Sequence, residues 1–396
     1  MVLHQILSYC FLFPALLLSS CSLKRNTKVK IDRDKIAFWD IPRSGTNIFN
    51  SRVLLEDIES AKAYGIQFVR LSLDKFPSKN RDFIIGNADR YEGCVPEDLG
   101  VLRQILDMFA VKEMPVVVTM LSLPGSRWAQ LNNKKDDLRI WENADFQLQA
   151  AQFWRDLAAE LRQYPIIVGY NILNEPHPER LYDQKNCHID QVNQDEVQKI
   201  LFEFNNLMVK SIREVDKYTP IIIDSSSYSD PNTFEGLKPI LDLRILYSFH
   251  MYEPYEYTDY KNYLKFSYPG EVVGKNWDRK ALKKYVSAVS AFQTKYKIPS
   301  NRILVGEFGG YRRQKGLSQY FADLISIFEE NNWHWAYYAF RDNWDGMDYE
   351  LGDKGLPWDY WKAQERGEEY LLERDPTCTL FAVLKNALAK NLEKNF

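Results

Sequence analysis

The chain has 396 residues, of which 45% are hydrophobic and 27% charged, enough apolar material for a sizeable core in an ordinary soluble protein. A formal net charge of −3 argues against nucleic-acid binding, which normally shows as a basic stripe. The 24 Tyr, 22 Phe and 10 Trp are in the main what a large aromatic core requires, and those on loops would suit stacking on sugar faces.

From the N-terminus, Ile6 to Leu18 is an apolar stretch too short to span a bilayer comfortably. It leads into Leu18-Ser19-Ser20-Cys21, which resembles a bacterial lipoprotein lipobox, although Met1 to Gln5 carry no Lys or Arg. Residues 1–21 are therefore expected to be a signal peptide, Cys21 to be lipidated, and residues 22–35 to be a polar tether. Ser22 is compatible with sorting to an outer membrane, and plain secretion is the alternative. Beyond Cys21 come Cys94, Cys187 and Cys378, an odd number with no zinc spacing. They are expected to be buried free thiols, with one bridge as the alternative.

Strand-like runs then alternate with helical patterns to the end of the chain. Ser44–Phe49 is a weak first strand, followed by a helix over Val53–Tyr64 and a second strand at Phe68–Leu73. Leu99, Leu102, Ile105, Leu106 and Phe109 recur at helical spacing before strand three, Pro115–Leu121. Phe146–Leu161 is helical, Ile166–Leu173 is strand four, 195–215 is a long helix and Pro220–Asp224 is strand five. A short helix near 233–241 precedes strand six, Ile245–His250. Lys280–Tyr296 is helical, Ile303–Phe308 is strand seven, Ser318–Asn331 is helical, Trp335–Phe340 is strand eight, and Thr379–Leu392 closes the chain. The alternation never breaks into two halves, so residues 36–396 are expected to form a single (β/α)8 barrel of the α/β class with elaborated loops.

In such a barrel the chemistry gathers at the carboxyl ends of the strands. The polar residues there are Arg70 after strand two, Asn174 and Glu175 after strand four, His250 and Tyr252 after strand six, and Glu307 in strand seven. Glu307 breaks the apolar run LVGEFGG, and a buried unpaired carboxylate is costly or protonates. Bland roles exist: Arg70 and Glu307 as a salt bridge stapling the barrel mouth, Glu175 as a capping carboxylate. That both carboxylates stand at strand ends beside an amide, a His and a Tyr favours chemistry. Two carboxylates across a barrel mouth suit glycoside hydrolysis, one protonated to supply the leaving oxygen and one ionised to attack the anomeric carbon. Arg70 would keep Glu307 ionised, Glu175 would hold its proton, and Asn174 would hydrogen-bond the sugar 2-hydroxyl.

These residues carry a resemblance. Asn174-Glu175-Pro176, Gly306-Glu307-Phe308-Gly309, His250-x-Tyr252 and Arg70 are similar to the pattern of glycoside hydrolase family 5, over roughly residues 36–390. The resemblance implies a cellulase-like retaining β-glycosidase with Glu175 as acid/base and Glu307 as nucleophile. It further implies that Arg70 and Tyr252 hold the nucleophile, that His250 lies beside the acid/base, and that Asn174 holds the sugar. Two departures concern the substrate. Leu121 stands where many members have a His ahead of Pro124-Gly125, and the strand-eight Trp platform is replaced by Tyr338 and Phe340, with Trp344 beyond.

Trp128, after strand three, and the long aromatic and acidic segment 341–378 supply further stacking candidates, each of which could equally pack its loop on the barrel. No GxSxG, HExxH or phosphate-binding loop is present, and His177, His188 and Glu179 lack useful metal spacing. No cofactor and no metal are expected. The expected partners are an oligo- or polysaccharide (β-glucan, mannan or a related glycan) and a membrane reached through the lipid on Cys21, with the chain as a monomer at the cell envelope. Two alternatives stay open: a surface-anchored barrel that binds glycan without cleaving it, and a glycosidase acting on a glycolipid or a cell-envelope glycan.

Overall fold

Eight short strands, all parallel, close on one another in the computed structural model, which describes residues 34–49, 51–73, 76–182, 193–342, 345–366, 368, 370 and 372–393. The barrel strands are β1 (Ser44–Ile48), β2 (Val69–Ser72), β3 (Val116–Thr119), β4 (Ile167–Asn171), β5 (Ile221–Asp224), β6 (Ile245–Met251), β7 (Ile303–Phe308) and β8 (His334–Tyr337). Each pairs with its neighbours in sequence, and β8 returns to β1, with Gly45 opposite Ala336. Every residue of all eight strands is buried. That explains runs such as VVVT and IIID: a parallel strand covered on both faces has no solvent side to alternate with.

The outer ring is helical because apolar residues recur on one side of each segment. Asn143 caps Ala144–Leu161 by accepting from Asp145 N, and Asn193 caps Gln194–Val215 by accepting from Glu196 N. The second of these buries Val197, Leu201, Phe204, Met208 and Ile212, the i, i+4 stripe that faces the barrel.

The amino-terminal end of the barrel is closed by a short helix, Lys35–Asp40, before the first strand. Its Trp39 is fully buried, meets Phe68 and His334 edge-on at 5.1 and 4.9 Å, and donates from Nε1 to the Val168 carbonyl at 2.9 Å. Val117, Val168, Ile222, Leu246, Leu304 and Ala336 form the apolar layer above it. Gly45 belongs to the same closure, since a Cβ there would lie 2.6 Å from the Phe68 carbonyl oxygen. Lys35, which the sequence placed at the end of a tether, is already buried in the fold, its Nζ donating to Tyr164 O at 2.9 Å. Trp39→Ala is expected to cost about 3–5 kcal/mol in urea unfolding, because the cavity it leaves is walled by strands that cannot collapse. A loss under about 1 kcal/mol would show that Trp39 is not the floor of the barrel.

Several elements differ from expectation. The helix expected over 280–296 is two, Arg279–Tyr285 and Ser287–Tyr296. The stretch near 233–241 makes only a 3₁₀ turn, Pro231–Glu235. Between β6 and the first of those helices lies an antiparallel hairpin, Gly270–Val272 with Lys275–Trp277. Its turn, Val273-Gly274, has positive φ at both positions (46° and 74°), the type that Asn-Gly normally announces. Valine hides that signal. As its aromatic content leads one to expect, described residues of the segment after β8 are tied to the barrel and to one another: Arg341 pairs with Glu350 at 2.7 Å and Asp57 at 2.8 Å, and Arg374 with Asp348 at 2.8 Å. Within it, the helix Trp358–Glu365 leaves Trp358 and Trp361 exposed.

Cys94 and Cys378 are free thiols, while Cys21, Cys187, His188 and the expected signal peptide lie outside the described residues. Among the described residues no helix is long and apolar enough to cross a membrane.

Candidate active site

Arg70 is the hub of the carboxyl-terminal mouth. It projects from β2 into the barrel and is fully buried. Nη1 donates to Glu307 Oε1 at 2.9 Å, to Asn47 Oδ1 at 2.7 Å and to the Gly306 carbonyl at 2.9 Å. Nη2 donates to Asn171 Oδ1 at 2.6 Å and to Asn174 Oδ1 at 2.9 Å. A buried guanidinium is costly unless its charge is balanced and its donors are met; here Glu307 balances the charge and both terminal nitrogens are hydrogen-bonded, while the Nε–H has no partner among the described residues.

Glu307 is therefore oriented from two sides: Arg70 holds Oε1, and the Tyr252 hydroxyl donates to Oε2 at 2.8 Å. Its pKa lies above the ordinary carboxylate value, pushed up by burial and by the charge of Glu175, with His250, Arg70 and the Tyr252 hydrogen bond pulling the other way. Glu175, leaving β4, faces it. One carboxylate oxygen of each, with a ring nitrogen of His250, lie within 4.8 Å of one another. Glu175 has fewer groups that favour its charged form. Burial, and then the charge of Asp224, push its carboxyl up to about 8, opposed only by Arg70. His250 Nδ1 lies 2.8 Å from Glu175 Oε1 and 3.8 Å from Glu307 Oε2; burial lowers the pKa of that ring against the charges of Glu307 and Asp224, which favours the neutral imidazole. The site thus pairs a carboxyl that keeps a proton at neutral pH with one held beside a fixed cation.

These three groups offer ligand atoms close enough to suggest a cation site. The donor set does not fit one, because the Arg70 guanidinium already supplies the positive charge at Glu307 and Tyr252 takes its other oxygen.

Glu175 itself sits at φ +51°, in the left-handed region. A residue before proline, as Glu175 is before Pro176, is pushed towards extended backbone. The left-handed turn is held against that preference by the Glu175 N–H donating to Asp224 Oδ2 at 3.2 Å. Strain of this kind, of the order of 1–3 kcal/mol, recurs where a side chain must be aimed.

Asn174 is buried with its oxygen committed to Arg70, which leaves its amide NH₂ as the group able to donate to a hydroxyl. Tyr338 is half-buried, edge-on to Phe49 at 5.3 Å, with its hydroxyl donating to Asp342 at 2.8 Å, and it acts electrostatically on both carboxylates. Phe340 is no platform: it is 2% exposed and packs near Tyr64 and under Arg341. Trp128 is half-buried after β3, its N–H donating to Ser122 Oγ, and shares no hydrogen bond with the carboxylates. Trp344 lies outside the described residues. Leu121 is buried, so the strand-three position brings an apolar side chain to this part of the mouth.

Four residues of the mouth escaped the sequence reading. Asn47, Asn171 and Asp224 form a polar layer across β1, β4 and β5, with Asn171 Nδ2 donating to Asp224 Oδ1 at 3.1 Å. Asp224 carried the same signal as Glu307, an apolar strand ending in one carboxylate. The fourth, Tyr228, stands on three successive left-handed residues, Ser227 to Ser229, with φ of 54°, 59° and 65°. Its ring stacks on His177 at 4.7 Å, and His177 Nδ1–H donates to the Glu175 carbonyl at 2.8 Å, so a half-exposed aromatic stands near Glu175. Nothing in SSSYSD announced that turn.

The cellulase model of glycosyl hydrolase family 5 matches residues 40–344, most of the chain. Endoglucanase C of Acetivibrio thermocellus is 23% identical over 333 residues, covering 76% of this chain and 87% of its own. Thermotoga maritima Cel5A in complex with cellobiose superposes with a TM-score of 0.61 at 18% identity, over 90% of this chain and 100% of its own. The same enzyme with mannotriose gives 0.58 at 19% identity, over 79% and 94%.

Proposed function

Since the chain belongs to glycoside hydrolase family 5, we propose that it cleaves β-glycosidic bonds of a β-glucan or mannan with retention, Glu175 acting as acid/base and Glu307 as nucleophile. The observation that carries this reading is the facing pair itself. Two carboxylates, Glu307 buried and Glu175 partly so, lie within 4.8 Å of each other at their nearest oxygens, and Glu307 alone has Arg70 and Tyr252 bonded to its oxygens. Retaining enzymes hold their carboxyl groups about 5–5.5 Å apart, and inverting ones about 6.5–9.5 Å, because a water must fit between.

In the first step Glu307 attacks the anomeric carbon as the glycosidic C–O bond breaks, and the Glu175 proton goes to the departing oxygen. In the second, Glu175, now a carboxylate, takes a proton from water as the water oxygen attacks the same carbon and releases Glu307. Arg70 and Tyr252 restrict Glu307 to one orientation, so little reorganisation is needed at the moment of attack. Asn174 donates to the sugar 2-hydroxyl, and Tyr228 and Tyr338 border the cleft where sugar faces can stack. The mannotriose-bound relative supports keeping mannan beside glucan, and Leu121 favours an apolar sugar edge over a hydroxyl at its position. Lipidation of Cys21 would place this chemistry at the cell envelope.

The test is a screen against β-glucan, mannan, xyloglucan and aryl β-glycosides, with NMR of the first-formed product. A β-anomer is expected first, before mutarotation, and an α-anomer would overturn retention. Glycan binding without release of sugar, equal in wild type and Glu307→Ala, would instead identify a binding barrel.

A further inference from the structure

Three contacts around Glu175 do not face the sugar. Its backbone N–H is held by Asp224 Oδ2, its Oε1 lies 2.8 Å from His250 Nδ1, and His250 Nε2 lies 3.6 Å from the same Asp224 oxygen. The imidazole is clamped between two carboxylates, with 1% of its side chain exposed and none of that of Asp224. Gly306 makes room for this clamp, since a Cβ there would lie 2.9 Å from His250 Nε2.

We infer that Asp224 is a positioning residue for the reaction, which fixes the tautomer of His250 and thereby keeps the proton on Glu175. The inference rests on the reading of Glu175 as acid/base. A neutral imidazole has one N–H and one lone pair. With the N–H on Nε2, directed at Asp224, the Nδ1 lone pair accepts from a protonated Glu175. With the N–H on Nδ1, the Nε2 lone pair faces a carboxylate at 3.6 Å, and the N–H donated to Glu175 favours its ionised form beside the same negative charge. Asp224 disfavours the second arrangement twice. After the proton has left, the carboxylate of Glu175 faces a lone pair on Nδ1, which raises its basicity for the water of the second step.

Other charged and titratable groups face this unit. From β2, Arg70 Nη2 lies 4.0 Å from Asp224 Oδ2 and opposes it, but the guanidinium is also committed to Glu307 at 2.9 Å. Glu307 itself comes from β7 and Tyr252 from beyond β6. Tyr228, Tyr255, Tyr338 and His177 approach from the loops. The direction of the Glu175 shift, upward with Asp224 the largest cause after burial, agrees with the geometry.

The experiment compares wild type with Asp224→Asn and Glu175→Gln in the full chain, on two substrates. One is the polysaccharide found by the screen. The other is a dinitrophenyl β-glycoside of the same sugar, whose leaving group departs without a proton. In Asp224→Asn, kcat/KM on the polysaccharide at pH 7 is expected to fall about 10–100-fold and its alkaline limb to move down by about one pH unit. The dinitrophenyl substrate should lose less than about threefold. The ratio of the two is taken within one preparation, so a reduced folded fraction cannot produce it. In a His250→Gln background, adding Asp224→Asn should leave the ratio unchanged. Equal losses on both substrates with an unmoved alkaline limb would mean that Asp224 only pins the turn, and would overturn the proposal. If Glu175→Gln shows no discrimination between leaving groups, the acid/base reading fails and takes the proposal with it.

Discussion

Glu307→Ala is expected to lower polysaccharide hydrolysis by roughly five to six orders of magnitude, the scale seen when a nucleophile is removed. Added sodium azide should restore part of the activity on an activated aryl glycoside and yield a glycosyl azide of inverted configuration. The reasoning follows from the site. Alanine leaves a void on the face of the sugar that Glu307 occupied, and a small anion can enter it beside the Arg70 guanidinium. The fold should survive, because Arg70 keeps its bonds to Asn47, Asn171, Asn174 and the Gly306 carbonyl. Activity within tenfold of wild type, or azide rescue that gives a product of retained configuration, would contradict the assignment of Glu307.

Glu175→Gln is expected to lose about 10²–10⁴-fold on the polysaccharide, the usual contribution of a positioned proton donor. In the wild type, activity should fall as pH rises through about 8, where the Glu175 carboxyl loses its proton, and this limb should vanish in the variant. The same shift has a stability consequence of unusual sign. Between about 4.5 and about 8 the folded chain keeps a proton that the unfolded chain has released, so this group makes the fold less stable as pH rises across that window. Glutamine removes the effect. Some 15% of the Glu175 side chain meets solvent, which discounts the full shift. A gain of about 2 kcal/mol at pH 8, shrinking towards zero near pH 4.5, is the expectation for thermal melts of the two proteins. A gain that is constant with pH would show that packing, not ionisation, is responsible.

The eight-stranded alternation was legible along the chain because the barrel strands are covered on both faces and the helices on one. Apolar runs and apolar stripes are what such covering requires, and strand ends came out within about three residues. Where the pattern is local but unsignalled, the reading failed. Val273 does not announce a hairpin turn, and Val286 does not announce a break between two helices. Phe340 looked like a platform by its position after β8, yet it is buried.

For the site, the sequence alone determined the chemical types: a carboxylate in NEP, another in GEFG, and an Arg, a His and a Tyr at strand ends. It could do so because each interrupts an apolar run where burial makes a polar side chain expensive unless it has work or a partner. The pairing of Arg70 with Glu307 was expected, but the rest of the network was decided only by the tertiary structure. That Arg70 binds three asparagines as well as Glu307, that Asp224 stands behind both Glu175 and His250, and that Glu175 turns through φ +51° follow from strands separated by many residues meeting at one mouth. The proton affinity of each carboxyl depends on which charge lies within a few ångströms. That distance is set by the register of the closed barrel, and no order of residues along the chain contains it.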